Sequence, residues 1–256
     1  MELELKGKRA LVTCAGSGLG AACAAQLAAE GATVVALSRS VPTSRPQYEG
    51  EVEGGTVTHL ACDITDPSRI RNVMRDVGNV DIVIFVPVRE RQDSLTGIGA
   101  DEYHMTLMRN FFPFLELVQS NLPGMIERKF GRVVSLLGSS TMAPLWDHSL
   151  ANVGRSAIAV LGSGAAREFS VYNVTFNNII LGIFDTPGLR NLWKARAEEQ
   201  GISFDDYKGG RLVTIPARTI GNVNQCAYLV TLLASPMMSY MTGQSIRIDG
   251  GQHLCV

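Results

Sequence analysis

The chain is poor in the features that would send it to a membrane, a nucleic acid or an oxidising compartment. Among its 256 residues no apolar run reaches bilayer-spanning length, and the opening Met1-Glu2-Leu3-Glu4-Leu5-Lys6 has no signal-peptide core. Basic clusters are absent too: 23 Lys and Arg stand against 24 Asp and Glu, giving a net charge of -1, and they are scattered along the chain. Nucleic acid and anionic membrane surfaces are therefore not expected as partners. The five cysteines, Cys14, Cys23, Cys62, Cys226 and Cys255, are an odd number without Cys-x-x-Cys or His-rich spacing. That pattern argues against a disulfide framework and a metal site. A soluble, cytoplasmic protein with mostly buried free thiols is expected, and neither a repeat nor a linker divides it.

What is present is a large apolar fraction, 46% of residues, enough to bury a substantial core in one domain spanning 1–256. Apolar runs ending in turn signals predict strands near 8–13, 33–37, 57–61, 81–86, 132–137, 174–180 and 245–248. Helical patterns fall between them near 18–30, 67–76, 102–128, 150–171 and 222–234. This alternation predicts an α/β, doubly wound Rossmann fold: a seven-stranded parallel sheet with helices on both faces. Ligands of such sheets sit outside the carboxyl ends of the strands.

The first strand exit is the most specific. Thr13-Cys14-Ala15-Gly16-Ser17-Gly18-Leu19-Gly20 joins a strand to a helix, and Gly16, Gly18 and Ala21 fit the dinucleotide fingerprint G-x-G-x-x-G/A. Glycines let backbone N–H groups approach a pyrophosphate, and the helix N-terminus adds unpaired donors and a positive dipole end. The second strand leaves into Ser38-Arg39-Ser40. An acid there would hold the ribose hydroxyls of NAD, whereas Arg with Ser suits the 2′-phosphate of NADP, so NADP is favoured over NAD. Arg45 is placed to share that phosphate. Asp63 and Ile64, after the third strand, suit the amino edge and face of an adenine; Asp63 equally suits a helix cap, a task for which Asp66 is better placed.

Thr13 to Gly20, Asp63, Asn110, Gly131-Arg132-Val133-Val134, Gly182 to Pro187 and Ile248-Asp249-Gly250-Gly251 together resemble the short-chain dehydrogenase/reductase family along the whole chain. The resemblance implies a dinucleotide held by Thr13, Ala15, Gly16, Ser17, Gly18, Leu19, Gly20, Arg39, Asp63, Ile64, Val86, Arg155, Phe184 and Thr186. It implies that Asn110 holds a water in the proton path, although an Asn ahead of Pro113 also suits a helix kink. Several family positions are altered. Cys14 replaces the first glycine of the turn, Phe85-Val86-Pro87-Val88 stands for N-N-A-G, and Leu181 replaces a proline. By register the catalytic Ser falls on Gly138, the Tyr on Ala151 and the Lys on Arg155.

Hydride addition to a carbonyl needs a proton donor at the developing alkoxide, and Ala151 has none to give. Arg155 is a poor acid but a good anchor for ribose hydroxyls or an oxyanion, a role favoured here over a structural ion pair. Halohydrin dehalogenases, relatives without redox chemistry, also carry Arg for Lys but keep the Ser and Tyr. Polar substitutes lie nearby in Ser139, Ser140, Asp147, His148 and Asn152, with His148 better read as a loop histidine and Asp147 as a helix cap. The expected catalytic set is Asn110, Ser139, Asn152 and Arg155. Residues 188–220, with Leu189, Leu192 and Trp193 on a short helix followed by glycine hinges at Gly201 and Gly209-Gly210 and by Pro216, read as a lid over a small apolar substrate or as an interface helix. Small residues on helix 150–171 suit the pairing of subunits into a homodimer or homotetramer. The expected function is an NADP(H)-dependent oxidoreductase acting on a carbonyl or alcohol with an atypical proton donor. Its alternatives are a non-redox lyase, isomerase or cyclase using Arg155, and a non-catalytic nucleotide-binding protein.

Overall fold

Strand residues alternate between two apolar environments, and this alternation builds the architecture. The computed structural model describes residues 2–41, the backbone of 51–52 and residues 54–253; Arg45 and Cys255 lie outside them. The strands are β1 (Arg9–Val12), β2 (Thr33–Ser38), β3 (Glu51–Val52), β4 (Gly55–Ala61), β5 (Ile82–Phe85), β6 (Gly131–Gly138), β7 (Val174–Leu181) and β8 (Ser245–Ile248). They form one sheet in the order β3-β4-β2-β1-β5-β6-β7-β8. Seven strands are parallel as expected, and β3 adds a two-residue antiparallel edge against β4. So short a strand has no periodicity to read.

Ala10, Val12, Ile82, Ile84, Val134 and Leu136 face one side, where they pack on α1 (Gly18–Ala29) and α8 (Val223–Ala234). Leu11, Val83, Phe85, Val133 and Leu137 face the other, against α2 (Pro67–Val77), α4 (Phe112–Glu127) and α5 (Ser149–Phe169). Both sheet faces are thus buried, and β6 and β7 are buried almost throughout, polar Ser135, Thr175, Asn177 and Asn178 included. Arg132 is the charged residue within β6. Fully buried, it donates to the carbonyls of Gly131 and Asn173 at 2.8 Å and of Ser235 at 3.2 Å, and stacks 4.4 Å from the centroid of the Phe130 ring. Burial pulls its pKa down to about 10, so it stays a cation at neutral pH.

The helix expected at 102–128 is broken. It comprises α3 (Ala100–Thr106), a π-helical turn at Leu107–Phe111, and α4. Pro113 has no N–H to give Arg109, and Phe112 N–H bonds Leu107 O five residues back. The widened turn contains Asn110, which is buried.

Residues 188–220 carry two further helices, α6 (Pro187–Gln200) and α7 (Phe204–Val213). Gly201 joins them at φ +64°, but Gly209-Gly210 lies inside α7 and so is no hinge. Ser203 caps α7 by accepting from Asp206 N, which fixes the first turn of a helix that contains two glycines further on. At the start of α2, Asp66 is the cap, accepting from Ser68 N at 2.9 Å. The residue at the start of α5 is His148 rather than Asp147, and it makes no side-chain cap. No described helix is long and apolar enough to cross a membrane.

Candidate active site

The sheet changes direction of winding between β1 and β5, and a cleft of about 1060 Å³ opens over the carboxyl ends of the strands. Thr13 ties the two strand exits together: its hydroxyl accepts from Val86 N at 2.7 Å and donates to Val86 O at 3.0 Å. Ala15 N–H bonds Leu37 O at 2.8 Å and fixes the turn to β2. These bonds make Thr13 and Ala15 supports for the cleft, which is lined instead by Cys14, Ser17, Gly18, Leu19 and Gly20.

The turn is built around close backbone approaches. A Cβ on Gly20 would stand 2.5 Å from Cys14 O, 2.8 Å from Cys14 C and 2.9 Å from Thr13 O. Gly18 takes φ +59°. Cys14, at the altered glycine position, itself adopts φ +50°, the left-handed region that costs an L-residue about 1–2 kcal/mol. Burial raises the Cys14 thiol to about 11, with Asp63 adding to the rise and Arg39 opposing it. The thiol is therefore neutral at physiological pH and does not repel an anion. Ser17 precedes α1 without capping it, and no acidic residue occupies the first turn. The helix N-terminus is left to receive negative charge.

Arg39 is exposed beyond β2, close enough to act on the Cys14 thiol, as is Asp63. Asp63 Oδ1 accepts from Thr65 N at 3.0 Å and Thr65 Oγ1 at 2.8 Å, a local turn rather than a helix cap. Gly16 packs beside Ser38, and Ile64 is buried. Across the cleft, Val86, Phe184 and Thr186 line the wall together with Ile183. Thr186 also caps α6, accepting from Leu189 N at 3.2 Å.

Gly138, Ala151 and Arg155 converge on the same wall. A Cβ built on Gly138 would run into Arg155 Nη1, so the guanidinium occupies the space a side chain at 138 would need. Among the described residues Arg155 makes no hydrogen bond or ion pair; burial lowers its pKa, Glu90 raises it and Arg89 adds to the lowering. A desolvated cation facing a cleft is an anchor for oxygen-rich ligands.

Glu90, which sequence reasoning passed over, is a further charged group in this wall, with Arg89 beside it. It is buried, lines the cleft, accepts from Asn110 Nδ2 at 2.6 Å and lies 3.8 Å from Arg109 Nη1. Burial raises its pKa against the opposing pull of the Thr106 hydroxyl, Arg109, Arg155 and Asn110. The available signal was its place just beyond β5, a strand exit at which charge is otherwise unexpected after Val86-Pro87-Val88. Asn110 thus reaches the site through Glu90 and does not itself line the cleft.

Of the remaining sequence-derived positions, Ser139 and Ser140 line the cleft from a 3-10 turn, and the Ser140 hydroxyl is buried without a partner. Asn152 turns its amide to Leu145 O at 3.0 Å and is not among the lining residues. Asp147 and His148 line the mouth, with His148 Nδ1 2.7 Å from Asp147 Oδ1 and Nε2 2.7 Å from Gln92 Nε2. From the far side α6 and α7 supply Leu189, Leu192, Trp193 and Tyr207, the two aromatic rings meeting edge-on at 6.1 Å. The same two helices also bring Arg196, Gln200 and Arg211 to the cleft, so this rim mixes apolar and charged side chains. The described residues hold no cluster of metal-binding side chains.

The family model described as enoyl-(acyl carrier protein) reductase matches residues 14–253. The 3-oxoacyl-(acyl-carrier-protein) reductase of Vibrio harveyi is 28% identical over 260 residues, covering 98% of this chain and 100% of its own. The fold is that of L-sorbose reductase from Gluconobacter frateurii, a structure complexed with NADPH and L-sorbose: TM-score 0.90, 22% identity, and 100% of each chain covered. A 3-oxoacyl (acyl-carrier-protein) reductase from Agrobacterium tumefaciens C58, with NADP bound, gives a TM-score of 0.86 at 27% identity over 98% of this chain and 96% of that one.

Proposed function

The chain belongs to the short-chain dehydrogenase/reductase family, and from that membership we propose that it is an NADP(H)-dependent oxidoreductase reducing a carbonyl, or oxidising the matching alcohol, of a small apolar substrate with an atypical proton donor. The observation that carries this reading is one cleft running from the uncapped N-terminus of α1 to the guanidinium of Arg155, which makes no hydrogen bond among the described residues. Its two ends suit the two ends of a dinucleotide: an anion site and a hydroxyl anchor.

In this reading Ser17, Gly18, Leu19 and Gly20 hold the pyrophosphate against α1, with Thr13, Ala15 and Gly16 shaping the turn. Arg39 pairs with the 2′-phosphate. Asp63 and Ile64 meet the adenine, and Arg155 holds the nicotinamide ribose between Val86, Phe184 and Thr186. The bound dinucleotide supplies the hydride; the chain supplies orientation, exclusion of water by α6 and α7, and the proton. Gly138, Ala151 and Arg155 stand for the family's Ser, Tyr and Lys. Ser139 lines the cleft beside Gly138, whereas Asn152 has no part in this reading because its amide is turned to Leu145. A non-redox reaction in which Arg155 polarises the substrate is the second reading, favoured by that same guanidinium. Conversion of substrate without nicotinamide oxidation distinguishes it.

We also read the protein as one cytoplasmic domain that associates into a homodimer or homotetramer. Val153 and Val160 on α5, the latter 73% exposed, support an apolar contact with a second copy. The described cysteines are free, as suits a reducing compartment.

Calorimetric titration of the purified protein with NADPH and NADH tests the cofactor. Arg39→Ala should weaken NADPH about 10- to 100-fold, the worth of a charge-assisted contact, while changing NADH about twofold at most. Equal losses for both would sink the 2′-phosphate assignment. Cys14→Gly should tighten NADPH binding by removing a side chain beside the phosphates. Its stability should stay within about 1 kcal/mol of wild type, because relief of the left-handed strain offsets the freer unfolded chain. Weaker binding by this variant would show that the thiol is part of the site.

A further inference from the structure

We propose that Glu90 is the proton donor of the reduction, the group that replaces the missing acid at Ala151; this rests on the oxidoreductase reading above. Four observations converge on it. Glu90 lies on the segment that follows β5, beyond Val86-Pro87-Val88-Arg89, and lines the cleft together with Gly138, Ala151 and Arg155. Ala151 sits one helical turn before Arg155 on α5, so the two share the helix face that lines the cleft with Glu90. The carboxyl is buried yet faces the cleft, as an acid that must meet both substrate and solvent has to be. Its partner is adaptable: Asn110 Nδ2 donates to the carboxylate, while Asn110 Oδ1 is buried with no partner. A turn of that amide lets Oδ1 accept from the protonated carboxyl, so both protonation states of Glu90 can be satisfied.

The other candidates are less able. His148 has both ring nitrogens in use, one at Asp147 and one at the Gln92 amide. Arg155 does not release a proton near neutrality. Ser139 and Ser140 are hydroxyls with no base or cation hydrogen-bonded to them among the described residues, and Tyr207 stands on the lid rather than on the wall.

The step balances. The carbonyl carbon gains a hydride from the reduced nicotinamide dinucleotide, the C=O π bond breaks, and the electron pair moves to oxygen. The Glu90 O–H bond breaks as a new O–H bond forms on that oxygen, giving the alcohol, the oxidised dinucleotide and a Glu90 carboxylate. Solvent in the cleft reprotonates the carboxylate. Arg155 stabilises the developing negative oxygen, and Asn110 is a positioning residue that acts through Glu90.

The charged groups around Glu90 are Arg109 from the π-helical turn and Arg155 from α5, with Arg89 beside it in the chain. These cations favour the carboxylate, but burial outweighs them and holds the acid protonated to higher pH than an ordinary glutamate. Reduction should therefore be full at low pH and fall as pH rises through that value.

The test combines the full chain, NADPH, and a carbonyl panel of phenanthrenequinone, ethyl acetoacetate and pyruvate over about pH 5–9. Glu90→Gln should lose about 10²- to 10⁴-fold in kcat together with the falling limb of the profile, and keep NADPH affinity within about twofold by calorimetry. Glu90→Asp, which preserves the acid, should retain more activity than Glu90→Gln and move the limb. Independently of turnover, isotope-labelled glutamate carboxyl resonances of the cofactor-free protein should include one that titrates above the ordinary glutamate range and disappears in Glu90→Gln.

Unchanged kcat and pH profile in Glu90→Gln would overturn the proposal alone, as would loss of NADPH affinity with kcat retained. Should Glu90→Gln not fold, an unmoved limb in Glu90→Asp overturns it, and so does the absence of any high-titrating carboxyl. Wild-type protein that binds NADPH yet reduces no carbonyl would instead overturn the oxidoreductase reading, and this proposal with it.

Discussion

Gly20→Ala is expected to abolish dinucleotide binding and to lower stability by about 1–3 kcal/mol or more. The added methyl would sit 2.5 Å from Cys14 O and 2.8 Å from Cys14 C. Both obstacles are backbone, and the chain there is tied down on each side, by Thr13 to Val86 and by Ala15 to Leu37. The turn must open or α1 must retreat, and either movement withdraws the N–H groups that face the cleft. Thermal unfolding and NADPH titration together measure the effect. Gly188→Ala is the matched control: it also lines the cleft, but its added Cβ meets nothing within 4 Å. A Gly20→Ala protein with wild-type melting and affinity would show that the turn is pliable and would remove the close approach as the reason for glycine.

The largest stability loss is expected away from the cleft. Arg132→Ala should cost about 2–5 kcal/mol, read as a fall in the urea midpoint, because it empties the volume of a fully buried side chain and removes its bonds to three carbonyls. Those carbonyls belong to β6, to the turn before β7 and to the end of α8, so one guanidinium fastens three segments at the floor of the sheet. Arg132→Met, which keeps much of the volume without a charge to desolvate, should cost less. A change below about 1 kcal/mol for Arg132→Ala would mean that the cavity collapses or fills with water.

Most of the fold was legible because the sheet is buried on both faces. Runs such as Ile82-Val83-Ile84-Phe85 and Val133-Val134 have no other soluble use once they alternate with helical patterns. The elements that escaped are those whose stability is not written in hydrophobic period. α7 contains Gly209-Gly210 and depends on the Ser203 cap and on Trp193 for its place. β3 consists of two residues.

The site divides in the same way. The glycine turn was legible because a close backbone approach demands small residues at a strand exit, and Thr186 by its place in the family pattern; both line the cleft. Glu90 was not, since its character comes from Asn110 and Arg155, 20 residues away in one case and on a different helix in the other. A carboxylate in a loop looks like a solvated charge until the fold buries it. Asn110 was legible as the family's helical Asn and as an Asn near a proline; that the π-helical turn would aim it at Glu90 depended on where β5 ends.

The contact between Gly138 and Arg155 bears on how the two positions depend on each other. Because the guanidinium fills the space that a side chain at 138 would enter, a substitution there moves Arg155 out of this pose. The obstacle is the far end of a flexible side chain, so a serine at 138 is admitted by swinging the guanidinium aside: the two positions are coupled through where the charge sits rather than through which residues are allowed.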